Sequence, residues 1–151
     1  MYKGEHYMIR SFWFFGDEVP EMLVVRRSVS DPVDLLDKKS MQLILKEDDL
    51  PVAAGSLYFD NGAYHIAHLC VLPELQRHYL GDMAIRILLV KAFRMEASCV
   101  RCTPPASARD FFARYGFRPI GQTEEMEVTP ETLIMQSKCG HDCSVCANKC
   151  H

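Results

Sequence analysis

The sequence lacks any run long and apolar enough to cross a membrane, and its one early apolar burst, Phe12 to Phe15, is too short for the core of a secretion signal. The expectation is a soluble protein acting in the cytoplasm, with no membrane partner. A basic excess is missing too. With 17 Lys and Arg against 20 Asp and Glu, the formal net charge is -3. That balance removes the attraction on which nucleic-acid affinity chiefly rests, so no nucleic-acid partner is expected. No internal repeat, low-complexity segment or linker interrupts the chain before Lys138. Residues 1–137 therefore read as one domain, long enough to bury a core, and 138–151 as a tail.

Cysteine, by contrast, is plentiful: seven residues, four of them in the last thirteen positions. With no export signal to imply oxidising surroundings, those four point to metal or redox chemistry sooner than to a disulfide framework. Cys70, Cys99 and Cys102 lie in apolar strand-like runs and read as buried small residues.

Met8 to Phe15 reads as a first strand, closed by Gly16, and residues 20–36 as partly helical, interrupted at Pro32. MQLILK (41–46) and VAAGSLYF (52–59) read as strands. Asn61-Gly62 is a two-residue hairpin signal, because both central positions of that turn need positive φ, and residues 63–72 return as the antiparallel partner. From Asp82 to Arg94 the apolar positions fall at helical spacing. Residues 97–103 read as a short strand, Ser107 as the cap of a helix running to Tyr115, Gly116 as its end, and 117–120 and 132–136 as the last two strands. A meander followed by helix, strand, helix and strands predicts an α+β fold: a mixed, mostly antiparallel central sheet flanked by helices in a single domain. The strand–helix–strand path from 63 to 103 predicts a right-handed crossover and one parallel pair.

The stretch LCVLPELQRHYLGDMAIRILL (69–89) holds the chemistry. A strand that passes through a short polar loop into a helix gathers unpaired backbone N–H groups at one point, backed by the helix dipole, and phosphate is their natural occupant. Val71, Pro73 and Gln76-Arg77-His78-Tyr79-Leu80-Gly81 resemble the V-x-P step and the Q/R-x-x-G-x-G/A loop of the GNAT acetyltransferases. Ala108 to Phe117 (ARDFFARYGF) is similar to that family's A-x-x-F-Y-x-x-x-G-F helix, and with the strands and hairpin the resemblance spans about residues 8–137. Tyr79 stands where the loop's first glycine is expected, and Phe112 where the helix motif has tyrosine.

The resemblance implies an N-acetyltransferase that moves an acetyl group from acetyl-CoA to the amine of a small molecule or peptide. It sets the thioester carbonyl on the backbone amides of Leu69, Cys70 and Val71, and the pyrophosphate on Gln76, Arg77, His78, Tyr79, Leu80 and Gly81. An attacking amine must shed a proton. His65 falls where several members carry a base, and Tyr115, one turn beyond Phe112, is the candidate to protonate the departing thiolate. Strand alternation sets His65 and His68 on opposite faces, so at most one of them faces the cleft. A homodimer through the sheet edges is compatible with this plan.

The tail, KCGHDCSVCANKCH, would align Cys139, Cys143, Cys146 and Cys150 along one stripe of a continuous helix. Its outer pair would then stand roughly 16 Å apart, so one tetrahedral ion needs a break, for which Gly140 and Asn148 offer places. Four thiolates suit zinc or a [4Fe-4S] cluster, while a redox-paired tail and plain packing stay open. A non-catalytic CoA-binding or metal- and redox-sensing module is accordingly the rival to an enzyme.

Overall fold

The computed structural model describes residues 8–76 and 79–135. Among these residues seven strands, β1 (Ile9–Phe15), β2 (Met41–Glu47), β3 (Leu50–Asp60), β4 (Ala63–Val71), β5 (Val100–Cys102), β6 (Arg118–Pro119) and β7 (Met126–Val128), join in one sheet. Their order is β1-β2-β3-β4-β5-β7-β6. Three α-helices accompany them: α1 (Pro20–Ser28), α2 (Leu80–Arg94) and α3 (Arg109–Ala113). Every neighbouring pair is antiparallel except β4 and β5, which the α2 crossover makes parallel. The mixed, mostly antiparallel α+β sheet expected from the sequence is therefore the one observed.

Asn61 and Gly62 turn β3 into β4 at φ 50 and 78, as their pairing predicts. The inner strands are apolar on both sides because both faces are covered. Ile44 and Ala54 pack against Met22 and Val25 of α1. Leu43, Leu45 and Leu57 point the other way, onto Ile85, Leu88 and Leu89 of α2. Pro20 opens α1, Glu21 lies in its first turn and Arg26 and Arg27 in its last, an arrangement that suits the helix dipole. No helix among the described residues is long and apolar enough to cross a membrane.

Two expected elements take another form. Ser107 caps nothing: it lies in a 3-10 turn at Ala106–Ala108, and α3 begins at Arg109 with no side-chain cap. Residues 132–135 are not a strand; the last strand among the described residues is β7, at 126–128. Immediately after it, Thr132 Oγ1 accepts from the Thr129 N–H at 2.9 Å and folds the chain into a turn. The following apolar run touches the body through the bond from Ile134 N–H to the Tyr115 carbonyl, 3.0 Å long. That approach explains Gly116, at φ 99, where a Cβ would lie 2.0 Å from the Thr132 carbonyl oxygen.

Beneath α1 lies a buried polar network. Arg26 is 1% exposed and forms a two-pronged ion pair with Asp37, also 1% exposed, one prong running from Nη1 to Oδ2 at 2.9 Å. Arg26 Nη2 also donates to Ser56 Oγ at 3.0 Å, and Gln42 Nε2 donates to Asp37 Oδ1 at 3.0 Å. Burial works to raise the Asp37 pKa, but the hydrogen bond from Arg26, with those from Asp34 and Gln42, outweighs it and holds the carboxyl at about 2, below its ordinary 3.8. Because the folded-state value is the lower one, the ionised form favours folding. That contribution is present above the unfolded value and is lost as pH falls through about 2. Asp37→Asn should leave Arg26 charged and buried without its partner, at a cost of about 3–5 kcal/mol in urea unfolding at neutral pH. The variant should also lose much of the wild type's stability change between pH 4 and pH 2.

Candidate active site

β4 and β5 are paired only at Tyr64↔Val100 and His65↔Arg101. Beyond those two pairs the strands part, and a cleft of about 1260 Å³ opens between them. Its walls include Ile66 to Val71 of β4, Thr103 to Pro105 after β5, and Gly81 and Asp82 at the start of α2. Along this edge β4 presents backbone N–H and C=O groups that no strand covers, a ready source of donors for a ligand.

The same stretch of β4 carries a bulge. Ser56 faces Ala67 and Ala54 faces Cys70, so Gly55 alone opposes both His68 and Leu69. His68 adopts φ 57 to make this possible. A Cβ at Gly55 would lie 2.8 Å from Leu88 Cδ1 and 3.4 Å from Leu69 Cδ1, so the glycine gives both leucine side chains their room. The extra residue resets the alternation, and this overturns the expectation for the two histidines. Both His65 and His68 line the cleft.

Their surroundings differ. The His65 ring stacks on Tyr58, 5.1 Å between centroids and 7° between planes, and its Nε2 lies 3.1 Å from the Asp60 carbonyl oxygen. A carbonyl only accepts, so Nε2 carries a hydrogen, which leaves Nδ1 as the nitrogen with a lone pair in the neutral ring. His68 instead sits between carboxylates, Nδ1 2.9 Å from Asp31 Oδ2 and Nε2 2.7 Å from Asp34 Oδ2. Tyr58 is held above the ordinary phenol pKa by burial first, then by Asp34 and Asp60, and keeps its proton.

At the far end of the cleft, Gln76 Nε2 donates to the Val71 carbonyl at 3.2 Å, tying the loop to the end of β4. The first bond of α2 runs from Met83 N–H to the Tyr79 carbonyl, so the amides of Leu80, Gly81 and Asp82 have no partner within the helix. Tyr79 replaces the expected glycine in sequence yet keeps a glycine's backbone, at φ 64, and the residue is 76% exposed. Gly81 sits close to the body: a Cβ would be 3.7 Å from Phe111 Cζ and 3.9 Å from Val71 Cγ2, ordinary contact distances that leave room for alanine. Arg77 and His78 lie outside the described residues, as do Cys139, Cys143, Cys146 and Cys150.

Tyr115 is wholly buried, with its hydroxyl donated to Asp82. Burial first, then that bond, raises its pKa. Asp82, not Tyr115, is the member of the pair that lines the cleft. Cys70 and Cys102 also line it, but burial pushes both thiols up to about 12, which disfavours the thiolate at neutral pH. Asp34, Asp37 and His68 stand close enough to share a cation, yet Asp37 is already committed to Arg26 and His68 to Asp31. Asp31, Asp34, Tyr58 and Asp82 were not anticipated as cleft residues. The only local signal was the Asp34-x-x-Asp37 spacing of a capping box, which the structure contains.

Comparison with known proteins agrees with this geometry. The model of the Acetyltransferase (GNAT) domain matches residues 23–131. No curated protein matches the sequence. An acyl-CoA N-acyltransferase from Pseudomonas aeruginosa superposes with a TM-score of 0.70 at 17% identity, over 81% of this chain and 100% of that one. N-acetylglutamate synthase from Neisseria gonorrhoeae, solved with coenzyme A and N-acetyl-glutamate, gives 0.68 at 14% identity, over 83% of this chain and 36% of that one. An IAA acetyltransferase from Bacillus cereus gives 0.64 at 12%, over 81% and 99%. At such identities the likeness is one of fold.

The left-handed backbone of Tyr79 yields a direct test. Such a conformation costs a residue with a Cβ roughly 1–2 kcal/mol, against about 0.5–1 kcal/mol for the extra freedom of an unfolded glycine. Tyr79→Gly should therefore raise stability by about 0.5–1 kcal/mol, a gain of about 1–4 °C in calorimetry. A fall would mean that the ring makes contacts worth more than the strain.

Proposed function

The chain belongs to the GNAT acetyltransferases and uses acetyl-CoA as acyl donor, and from that premise we propose that it acetylates a primary amine by direct attack within the cleft between β4 and β5. The observation that carries this reading is the parting of β4 from β5 beside the open first turn of α2, which gathers two sets of uncovered amides along one groove.

In this reading the loop from Gln76 through Arg77, His78, Tyr79 and Leu80 to Gly81 wraps the pyrophosphate, helped by the positive end of α2. The acetyl thioester then lies along β4 at Leu69, Cys70 and Val71, with its carbonyl oxygen on the amides of Leu69 and Val71, since the register turns that of Cys70 toward Ala54 on β3. The amine lone pair attacks the carbonyl carbon, a C–N bond forms, and negative charge gathers on the oxygen that those amides hold. Collapse breaks the C–S bond and releases the thiolate of CoA. His65 takes the ammonium proton on Nδ1, directly or through one water, because Nε2 is fixed as a donor to Asp60. Tyr115 is buried and its hydroxyl is donated to Asp82, so the thiolate draws its proton from solvent at the open mouth. The high thiol pKa values of Cys70 and Cys102 favour this direct route over an acyl-cysteine intermediate.

The acceptor enters from the side of Tyr58, His65 and Asp31, away from the loop. A cytoplasmic site of action accords with the free thiols of Cys70, Cys99 and Cys102. For the tail, four thiolates at Cys139, Cys143, Cys146 and Cys150 suit zinc or a [4Fe-4S] cluster, and metal, iron and sulfide analysis of anaerobically purified protein decides that point.

The enzyme should release CoA from acetyl-CoA in the presence of at least one member of a panel of primary amines. His65→Gln should lower kcat about 100-fold while leaving acetyl-CoA affinity within about twofold, as expected when a general base is lost. Stoichiometric CoA binding without turnover on any amine would favour a non-catalytic binding module instead.

A further inference from the structure

We propose that His68 is a positioning residue for acyl transfer: gripped between Asp31 and Asp34, its ring holds the bulge that turns the amides of Leu69 and Val71, on either side of Cys70, into the cleft. The inference rests on the reading that those amides bind the thioester carbonyl.

A residue with a Cβ in the left-handed region is under strain, and it stays there only when its surroundings over-determine it. Nothing in the sheet itself supplies that hold. The opposing residue, Gly55, has no side chain, and β5 has already parted from β4 three residues earlier. The hold comes from a segment distant in sequence, the loop after α1. Asp31 Oδ2 and Asp34 Oδ2 lie 2.9 and 2.7 Å from the two ring nitrogens, and the His68 side chain is 15% exposed.

The grip is itself anchored. Asp34 caps the 3-10 turn at Leu35–Lys39, accepting from the Leu36 and Asp37 N–H groups, while its own N–H donates to Asp37 Oδ2 at 2.9 Å. Asp37 is locked to Arg26 beneath α1. A continuous line of polar contacts thus runs from the buried ion pair to the bulge. On the opposite face Leu69 packs into the α2 side of the core. His68 drawn one way and Leu69 the other define the twist between them, and that twist fixes where the next amides point.

The arrangement also separates the two histidines in role. Both His68 ring nitrogens lie within hydrogen-bond distance of carboxylates, those of Asp31 and Asp34, whereas His65 commits Nε2 to the Asp60 carbonyl.

The test uses acetyl-CoA labelled with 13C at the thioester carbonyl, bound to the full chain without any amine, so that a lost acceptor contact cannot produce the effect. In the wild type the carbonyl resonance should move downfield on binding. In His68→Ala, and in the double variant Asp31→Asn, Asp34→Asn, which leaves β4 untouched, it should return toward the free value. Acetyl-CoA affinity should stay within about twofold, because the pyrophosphate loop lies elsewhere, and kcat should fall about 100-fold, as an ångström of misplacement does. If His68→Ala does not fold, the double variant decides. Wild-type shift and kcat in both variants, or in the double variant alone when His68→Ala does not fold, would overturn the proposal. A wild type that binds acetyl-CoA with no carbonyl shift would instead refute the amide assignment itself, and the proposal with it.

Discussion

β4 has a neighbour along its whole length on one side and for two residue pairs on the other. That asymmetry is the constraint on which the rest depends. A buried strand must satisfy its backbone groups or leave them to a ligand, and β4 leaves those facing β5 uncovered from Ile66 onward. The cleft, the donors along its wall and the approach of α2 at its end all follow from where β5 diverges. The parallel crossover makes the divergence possible, because α2 returns the chain beside the start of β4 and not its end.

Holding an unpaired edge in one shape requires support from elsewhere. Here it comes from the two faces of the sheet in different ways. The α2 face supplies apolar packing, into which Leu69 is drawn through the space that Gly55 leaves open. The α1 face supplies polar contacts instead, rooted in the pair of Arg26 and Asp37. A buried ion pair is an inefficient way to add stability, since desolvation offsets most of the attraction, but its geometry is exacting. In this molecule that geometry passes through Asp34 to the cleft wall.

The parts that could be read from the sequence are those set by local rules. The meander, the Asn61-Gly62 hairpin and α2 follow from alternation, turn chemistry and helical spacing, and the two motifs placed the loop and the later helix in order. What escaped was set by tertiary contact. The bulge at His68 broke the alternation on which the placement of both histidines relied, and nothing local marks it, since the residue that permits it is Gly55 on another strand. Asp31 and Asp34 reach the cleft across more than thirty residues of chain. The apolar run at 132–135 has the composition of a strand, but after the turn tied by Thr129 and Thr132 it bonds to the Tyr115 carbonyl beyond α3 and joins no strand. Tyr79 is the inverse case, where the residue departs from the expected glycine and the backbone does not.

The most direct measurement is a backbone amide NMR titration of the full chain with coenzyme A. The account predicts that the perturbed amides form two groups, 69–71 on β4 and 76–83 across the loop and the first turn of α2. Saturable binding whose perturbations fall elsewhere, such as the groove between Trp13 and Lys91 on the opposite side of α2, would contradict it.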